Sequence, residues 1–75
     1  MERGPLIQIL RDMRGTELEL DLMIAGESKP LEIRNVDDVD ELHSSHGIKI
    51  TTRQNKIWLD ASHVAAAYQA RSDGR

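Results

Sequence analysis

Strict alternation of apolar and charged residues is the feature that most constrains this chain. In the segment TELELDLMI, residues 16–24, four aliphatic side chains at every second position, Leu18, Leu20, Leu22 and Ile24, alternate with the acidic residues Glu17, Glu19 and Asp21. Successive side chains of a β-strand point to opposite faces, so this pattern buries one face and leaves the other acidic and wet. Leu and Glu are good helix formers, but an alternation this regular outweighs that weak preference. We therefore predict a strand, and the turn-forming residues 26–30 followed by Leu31 and Ile33 predict a second, antiparallel one.

A β-hairpin is predicted over residues 47–59. Ile48 and Ile50 alternate with polar residues, the polar run 52–56 forms a turn, and the segment Ile57–Trp58–Leu59 returns along the first strand. Trp58 then lies on the face opposite its two aliphatic neighbours, where it packs against the N-terminal helix or a neighbouring subunit, anchors an interface or stacks on a base. The turn has no glycine to cradle a phosphate.

A short amphipathic helix precedes the first strand. Pro5 suits a first helical position, and Gly15 suits the residue after the last turn. The apolar stripe has helical spacing and consists of Leu6, Ile9, Leu10 and Met13. Because a helix of this length is marginal in water, we expect it to pack on the sheet or on a neighbouring subunit.

The size of the chain limits its core. Seventy-five residues allow one domain, residues 1–75, with no cysteine, no Phe, one Trp and one Tyr. A small aliphatic core without disulfides leaves a thin stability margin, so we expect completion by association with other copies.

The charge balance and the N-terminal segment bear on partners and location. Thirteen acidic residues against ten basic ones provide no global field that would attract DNA or RNA. The N-terminal segment resembles neither a membrane span nor a secretion signal, so we expect a cytoplasmic protein with no membrane partner.

An acidic connection is predicted over residues 35–47. The spacing of Val36, Val39 and Leu42 suits one side of a single helical turn opened by Asn35. The segment also contains carboxylates and imidazoles, which are Asp37, Asp38, Asp40, Glu41, His43 and His46. Their spacing matches neither a calcium loop nor a zinc helix, so we expect no metal site and no cofactor.

Two interpretations stay open for residues 60–69. Asp60 to His63 form a tight turn before a last strand at Val64–Tyr68, or Ser62 caps an Ala-rich helix that continues to Gln69. The need for a further strand beside a lone hairpin favours the strand. The tail, residues 70–75, is predicted to fray.

The order and spacing of these segments over residues 5–69 resemble those of Sm-like small barrels. Other SH3-like barrels have the same order and spacing of strands. The resemblance rests on the helix, the alternating strands and the run IKI, turn, IWL, DASH, VAAAY. It implies a mainly β fold, a strongly bent five-stranded antiparallel barrel with an N-terminal helix; a C-terminal helix instead would make the fold α+β. Sm-like proteins typically form rings through edge strands and bind RNA through two loops. Those loops correspond to residues 37–46 and 60–63, which here lack the family's Asn, Arg and Gly.

Two functional hypotheses follow, and neither is an enzyme. No Ser, Thr or His has the glycine-rich context that would place a nucleophile, and a barrel this small offers little concavity. The leading hypothesis is a homo-oligomeric assembly or protein-interaction module whose edge strands are adhesive. The alternative is an Sm-like RNA-binding protein, which is not favoured because single-strand binders combine more basic and aromatic residues. In either case the candidate contact residues are Lys49, Arg53, Lys56 and Trp58.

Overall fold

The structure is a computed structural model, and it describes residues 1–69. It contains one helix, six strands and a short 3-10 turn. The elements are α1 (Arg3–Asp12), β1 (Glu19–Ile24), β2 (Leu31–Arg34), β3 (Val36–Glu41), β4 (Gly47–Thr52), β5 (Lys56–Asp60), the 3-10 turn (Ala61–His63) and β6 (Val64–Tyr68). The predicted N-terminal helix and mainly β architecture are confirmed. No helix within the described residues is both long and apolar enough to cross a membrane.

The strands form two antiparallel sheets. One sheet has the order β2-β1-β6, and the other has the order β3-β4-β5. The predicted hairpin is confirmed as β4 and β5, in which Ile48 faces Leu59 and Ile50 faces Ile57. Across residues 1–69 no ladder joins β5 to β6, so these sheets do not close into a barrel.

A single residue connects β2 of one sheet to β3 of the other. β2 ends at Arg34 and β3 begins at Val36, so only Asn35 lies between them, with a φ of 57°. Asn tolerates this left-handed region better than most residues. The Arg53 backbone N–H donates to the Asn35 carbonyl at 3.2 Å, and its guanidinium donates to the Asn35 side-chain oxygen at 3.3 Å. The chain therefore bends sharply at Asn35 and is fixed there by the β4–β5 turn.

The core lies between the helix and the inner faces of both sheets. Its buried aliphatic side chains come from the helix, from five of the strands and from the 3-10 turn: Leu6, Ile7, Leu10, Met13, Leu20, Leu22, Ile33, Val36, Val39, Ile48, Ile50, Ala61 and Val64. Residues of β5 contribute only partly buried side chains, Ile57 and Leu59. The helix contacts β3, β4 and the 3-10 turn, so it packs on its own sheet.

The helical turn predicted within residues 35–47 is wrong, and of the predicted irregular connection only Asn35 and residues 42–46 lack regular structure. Residues 36–41 form strand β3, which pairs with β4 so that Val36 faces Thr52 and Val39 faces Ile50. A β-bulge between Val36 and Asp38 inserts one extra residue. Because of that insertion, Val36 and Val39 both reach the core although they are three apart, a spacing that a regular strand would send to opposite faces.

The strand interpretation of residues 64–68 is confirmed, and the alternative C-terminal helix is wrong. Ala61–His63 make the tight turn, with Asp60 as its cap, and β6 then pairs with β1. Pairing with β1 places these alanines beside another strand of the sheet, whereas an isolated Ala-rich helix would have no neighbouring element. The predicted fraying of residues 70–75 falls outside the described part of the chain.

Candidate functional site

The outer face of the β4–β5 hairpin brings three of the four predicted contact residues onto one surface. Lys49 faces Trp58 across the two strands, and Lys56 precedes Trp58 by two positions on the same face. The Lys49 ammonium lies 5.7 Å from the centre of the indole ring. An exposed cation–π pair of this kind contributes about 0.5–1 kcal/mol. We call Lys49, Lys56 and Trp58 the Trp58 face.

Trp58 is unusually exposed for a tryptophan. Its relative accessibility is 64%, so it does not pack against the helix or the core. The residues across the sheet from Trp58 are polar: Lys49 of β4 pairs with Trp58, and Asp40 of β3 pairs with Lys49. A large aromatic surface held in place by a lysine and left open to water is typical of an interface anchor or a stacking platform.

The fourth predicted residue, Arg53, has a different position. It lies in the β4–β5 turn, where its guanidinium and backbone N–H both donate to Asn35. Beside this turn an open cavity of about 240 Å³ is lined in part by Arg34, Gln54 and Ile57. The cavity includes none of the residues of the Trp58 face. Arg53 thus has a structural role at the bend, separate from that face.

Each of the two sheets in the described chain has two edge strands, and β5 and β6 are two of these four. β5 pairs only with β4, and β6 pairs only with β1. Ile57 and Leu59 of β5 are half-buried, and β6 presents Ala65, Ala66 and Ala67. An unpaired edge offers backbone N–H and C=O groups to another strand. The sequence predicts adhesive edges but does not identify the strands that provide them.

Both predicted loops of the resemblance lie at the same end of the sheets. The backbone N–H of Ala61 donates to the carbonyl of His46 at 2.8 Å, which joins the loop after β3 to the turn after β5. The guanidinium of Arg3 donates to the carbonyls of Leu42, Ser44 and Gly47 and pairs with Glu41 at 2.7 Å. One helix side chain therefore shapes the loop, a contact that sequence spacing did not signal.

Among the described residues, Asp60 is a carboxyl whose pKa is lowered by hydrogen bonds. The Ser62 hydroxyl and the Ser62 backbone N–H donate to it at 2.6 and 2.9 Å. These hydrogen bonds, helped by nearby His63 and His46, hold the pKa of Asp60 below its usual range. Both hydrogen bonds from Ser62 are therefore made to the Asp60 carboxylate. This carboxylate caps the 3-10 turn at Ala61–His63.

The acidic outer face predicted for β1 contains a cluster of three carboxylates. Oxygens of Glu19, Asp21 and Glu32 lie within 4.8 Å of one another. Arg34 offsets part of the negative charge of the cluster, since its guanidinium is 3.5 Å from Glu19 and 3.3 Å from Glu32. One Asp21 oxygen is buried and accepts no hydrogen bond from the described residues.

Comparison of the chain with models of known protein families, with curated proteins and with solved structures finds no match. The functional conclusion therefore rests on the geometry of this molecule.

Proposed function

We propose that this protein is a small assembly module that forms homo-oligomers through its unpaired strand edges and has no catalytic activity of its own. The observation that carries the proposal is the combination of edge strands that pair on one side only, β5 and β6 among them, with an indole on β5 that is 64% exposed. Long unprotected edges promote uncontrolled pairing, so folded proteins cover them or use them. The same surfaces provide a site for protein partners.

We infer further that the fold is of the Sm-like or SH3-like kind. Because β2 and β3 are separated only by Asn35, they can be treated as one strand with a sharp bend. The strand order then becomes β6-β1-β2/β3-β4-β5, which is a single strongly bent sheet of five antiparallel strands. With the helix at its N-terminus, this order supports a small barrel that remains open between β5 and β6.

The size of the core supports association. The half-buried Ile57 and Leu59 lie along the β5 edge, where a neighbouring strand would complete their burial. Removing apolar surface from water yields about 25 cal/mol per Å², so covering such an edge stabilises a domain whose own margin is thin. The acidic charge balance keeps the remaining surface soluble.

Multi-angle light scattering tests the assembly. We expect the wild-type mass to be a multiple of the 8.5 kDa monomer at concentrations above the micromolar range and to fall on dilution. A monomer mass throughout that range would refute the proposed function. The expected cytoplasmic location and the lack of DNA or membrane partners stay predictions.

RNA binding is the second candidate, and one observation favours it. The Trp58 face combines an exposed ring with two lysines, which is the arrangement that stacks a base and contacts a phosphate. Titration with single-stranded RNA, followed by the fluorescence of Trp58, tests it at two salt concentrations. Binding that weakens steeply with salt and is reduced by Lys56→Gln, but not by the control Lys29→Gln in the β1–β2 turn, would support this candidate. Absence of binding at low salt would exclude it.

A further inference from the structure

We infer that the outer face of β1 and β2 binds a calcium ion through the carboxylates of Glu19, Asp21 and Glu32. This cluster lies outside the acidic connection at residues 35–47, for which the sequence predicts no metal site. The inference is independent of the proposed assembly, because it concerns side chains on the face of a sheet and not the edges of its strands.

Strand pairing brings the three carboxylates together. Glu19 and Asp21 are two positions apart on β1, so their side chains point to the same face of the sheet. Glu32 of β2 lies directly opposite Asp21 in the register. One oxygen from each of the three side chains lies within 4.8 Å of the other two. Like charges placed opposite each other destabilise a strand pair, so this arrangement calls for a compensating cation.

Asp21 is the carboxylate of the cluster whose charge the described residues leave uncompensated. Arg34 contacts Glu19 and Glu32, but no ion pair joins Asp21 to a basic residue within residues 1–69. Its oxygen Oδ1 exposes less than 1 Å² and accepts no hydrogen bond from those residues. Burying a charged oxygen without a partner is unfavourable, and a bound ion is one of the ways in which folded proteins satisfy such atoms. This buried oxygen is evidence separate from the clustering, and it points to a cation.

The other side of Asp21 is less polar. Tyr68 of β6 lies opposite Asp21, and the Tyr68 hydroxyl donates to the Met23 sulfur at 3.8 Å. An aromatic ring and a thioether therefore border the carboxylate on the side away from Glu32. Opposite charges attract more strongly where such groups replace water, because the effective dielectric constant is lower there. The surroundings of Asp21 thus strengthen its attraction for a cation.

Ligand chemistry and charge select the ion. The donors are carboxylate oxygens, without an imidazole or a thiolate, and hard cations prefer such oxygens. Three carboxylates and the Arg34 guanidinium leave a net charge of two negative units, which one divalent cation balances. Magnesium keeps several waters and usually takes only one or two carboxylates from a protein. Calcium accepts about six to eight oxygens in a flexible geometry, so it fits three carboxylates with water completing its shell.

Arg34 competes with the ion for two of its three ligands. Its guanidinium contacts Glu19 and Glu32, and all three side chains are at least 40% exposed. Ion pairs this exposed contribute little to stability, so the guanidinium can leave the carboxylates at small cost. Removal of Arg34 should therefore strengthen calcium binding, whereas removal of the Asp21 charge should weaken it. Two neighbouring positions on one face thus have expected effects of opposite sign.

Titration of the wild-type chain with Ca²⁺, followed by NMR spectra of the backbone amides, tests the inference. We expect saturable shifts centred on residues 19–21 and 32, with a dissociation constant of about 10⁻⁴–10⁻³ M, and weaker binding of Mg²⁺. Asp21→Asn should weaken calcium binding about tenfold or more, and Arg34→Gln should tighten it about threefold or more. The matched control Asp40→Asn removes an exposed carboxylate from β3 and should leave the constant unchanged.

Thermal denaturation supplies a second readout. Calcium should raise the melting temperature of the wild type and of Asp40→Asn but not that of Asp21→Asn, because an ion that binds only the folded state stabilises it. Circular dichroism without calcium checks that each variant folds. Should Asp21→Asn not fold, the same loss of binding is expected of Glu32→Gln, at an exposed position.

Three results would overturn the inference: shifts that do not saturate, equal calcium binding by Asp21→Asn and Asp40→Asn, or weaker binding by Arg34→Gln. Binding of Mg²⁺ as tight as that of Ca²⁺ would overturn the choice of ion. None of these results depends on the mass of the assembly, so failure of the calcium site and failure of the proposed function are distinguishable.

Discussion

Substitution of Asn35 tests the bend that joins the two sheets. Asn35 has a φ of 57°, and its side-chain oxygen accepts a hydrogen bond from Arg53 at 3.3 Å. For an L-residue with a Cβ, the left-handed conformation costs about 1–2 kcal/mol, while glycine adopts it freely. The exposed hydrogen bond contributes about 0.5 kcal/mol. We therefore expect Asn35→Ala to lower the free energy of unfolding by about 1.5 kcal/mol, the sum of about 1 kcal/mol of strain that Asn tolerates better and the lost bond.

Two further variants separate these contributions. Asn35→Gly loses the same hydrogen bond without the strain, although its unfolded chain gains entropy, so we expect a loss of about 0.5–1 kcal/mol. Arg53→Ala removes only the side-chain bond and retains the backbone bond to the Asn35 carbonyl, so we expect about 0.5 kcal/mol. Urea denaturation followed by far-ultraviolet circular dichroism measures all three. If Asn35→Ala is as stable as Asn35→Gly, the left-handed bend is not what holds β2 and β3 together.

Other substitutions probe the core, the loop and the turn. Ile50→Ala, at a fully buried position, should lower the free energy of unfolding by about 2–5 kcal/mol. Ile57→Ala, at the half-buried position paired with Ile50, should lower it by about 1–2 kcal/mol in the dilute monomer. Equal losses for the two variants in urea denaturation would contradict the difference in burial. Arg3→Lys keeps the charge but not the fork of donors to the loop carbonyls, so hydrogen exchange at residues 42–47 should accelerate relative to wild type; unchanged exchange there would show that Arg3 does not shape the loop. Because hydrogen bonds from Ser62 lower the pKa of Asp60, its stabilisation is present above the pKa of an unfolded aspartate and is lost as pH falls through the folded value. Asp60→Asn should therefore flatten the acid side of the melting temperature plotted against pH, and a curve that keeps the wild-type slope would argue against this role.

The alternating segments were predictable because their cause is local. A strand exposed on one face needs a period of two, and β1, the β4–β5 hairpin and the start of β2 all show it. β3 could not be predicted in this way, since the bulge between Val36 and Asp38 shifts the period and produces a spacing of three that resembles a helix. The register of a bulge depends on the partner strand, which the sequence does not identify.

Part of the candidate site was predictable from the local sequence pattern, and part was not. The placement of Trp58 and Lys49 on one outer face follows from alternation in two adjacent strands, and the structure places them 5.7 Å apart. The contact of Arg53 with Asn35 joins a turn to a bend 18 positions away in the chain. Such contacts depend on how the two sheets pack. No periodic pattern encodes them, so in the sequence only its charge relates Arg53 to Lys49 and Lys56.

Hydrogen–deuterium exchange as a function of protein concentration tests the central claim most directly, because it reports which backbone amides the assembly protects. If copies join through their strand edges, amides of residues 56–60 and 64–68 should exchange more slowly at high concentration than at low concentration. Amides of β1, whose two sides are already paired within the chain, should change little. Exchange that is independent of concentration in both β5 and β6, or protection confined to the helix α1, would contradict assembly through these edges.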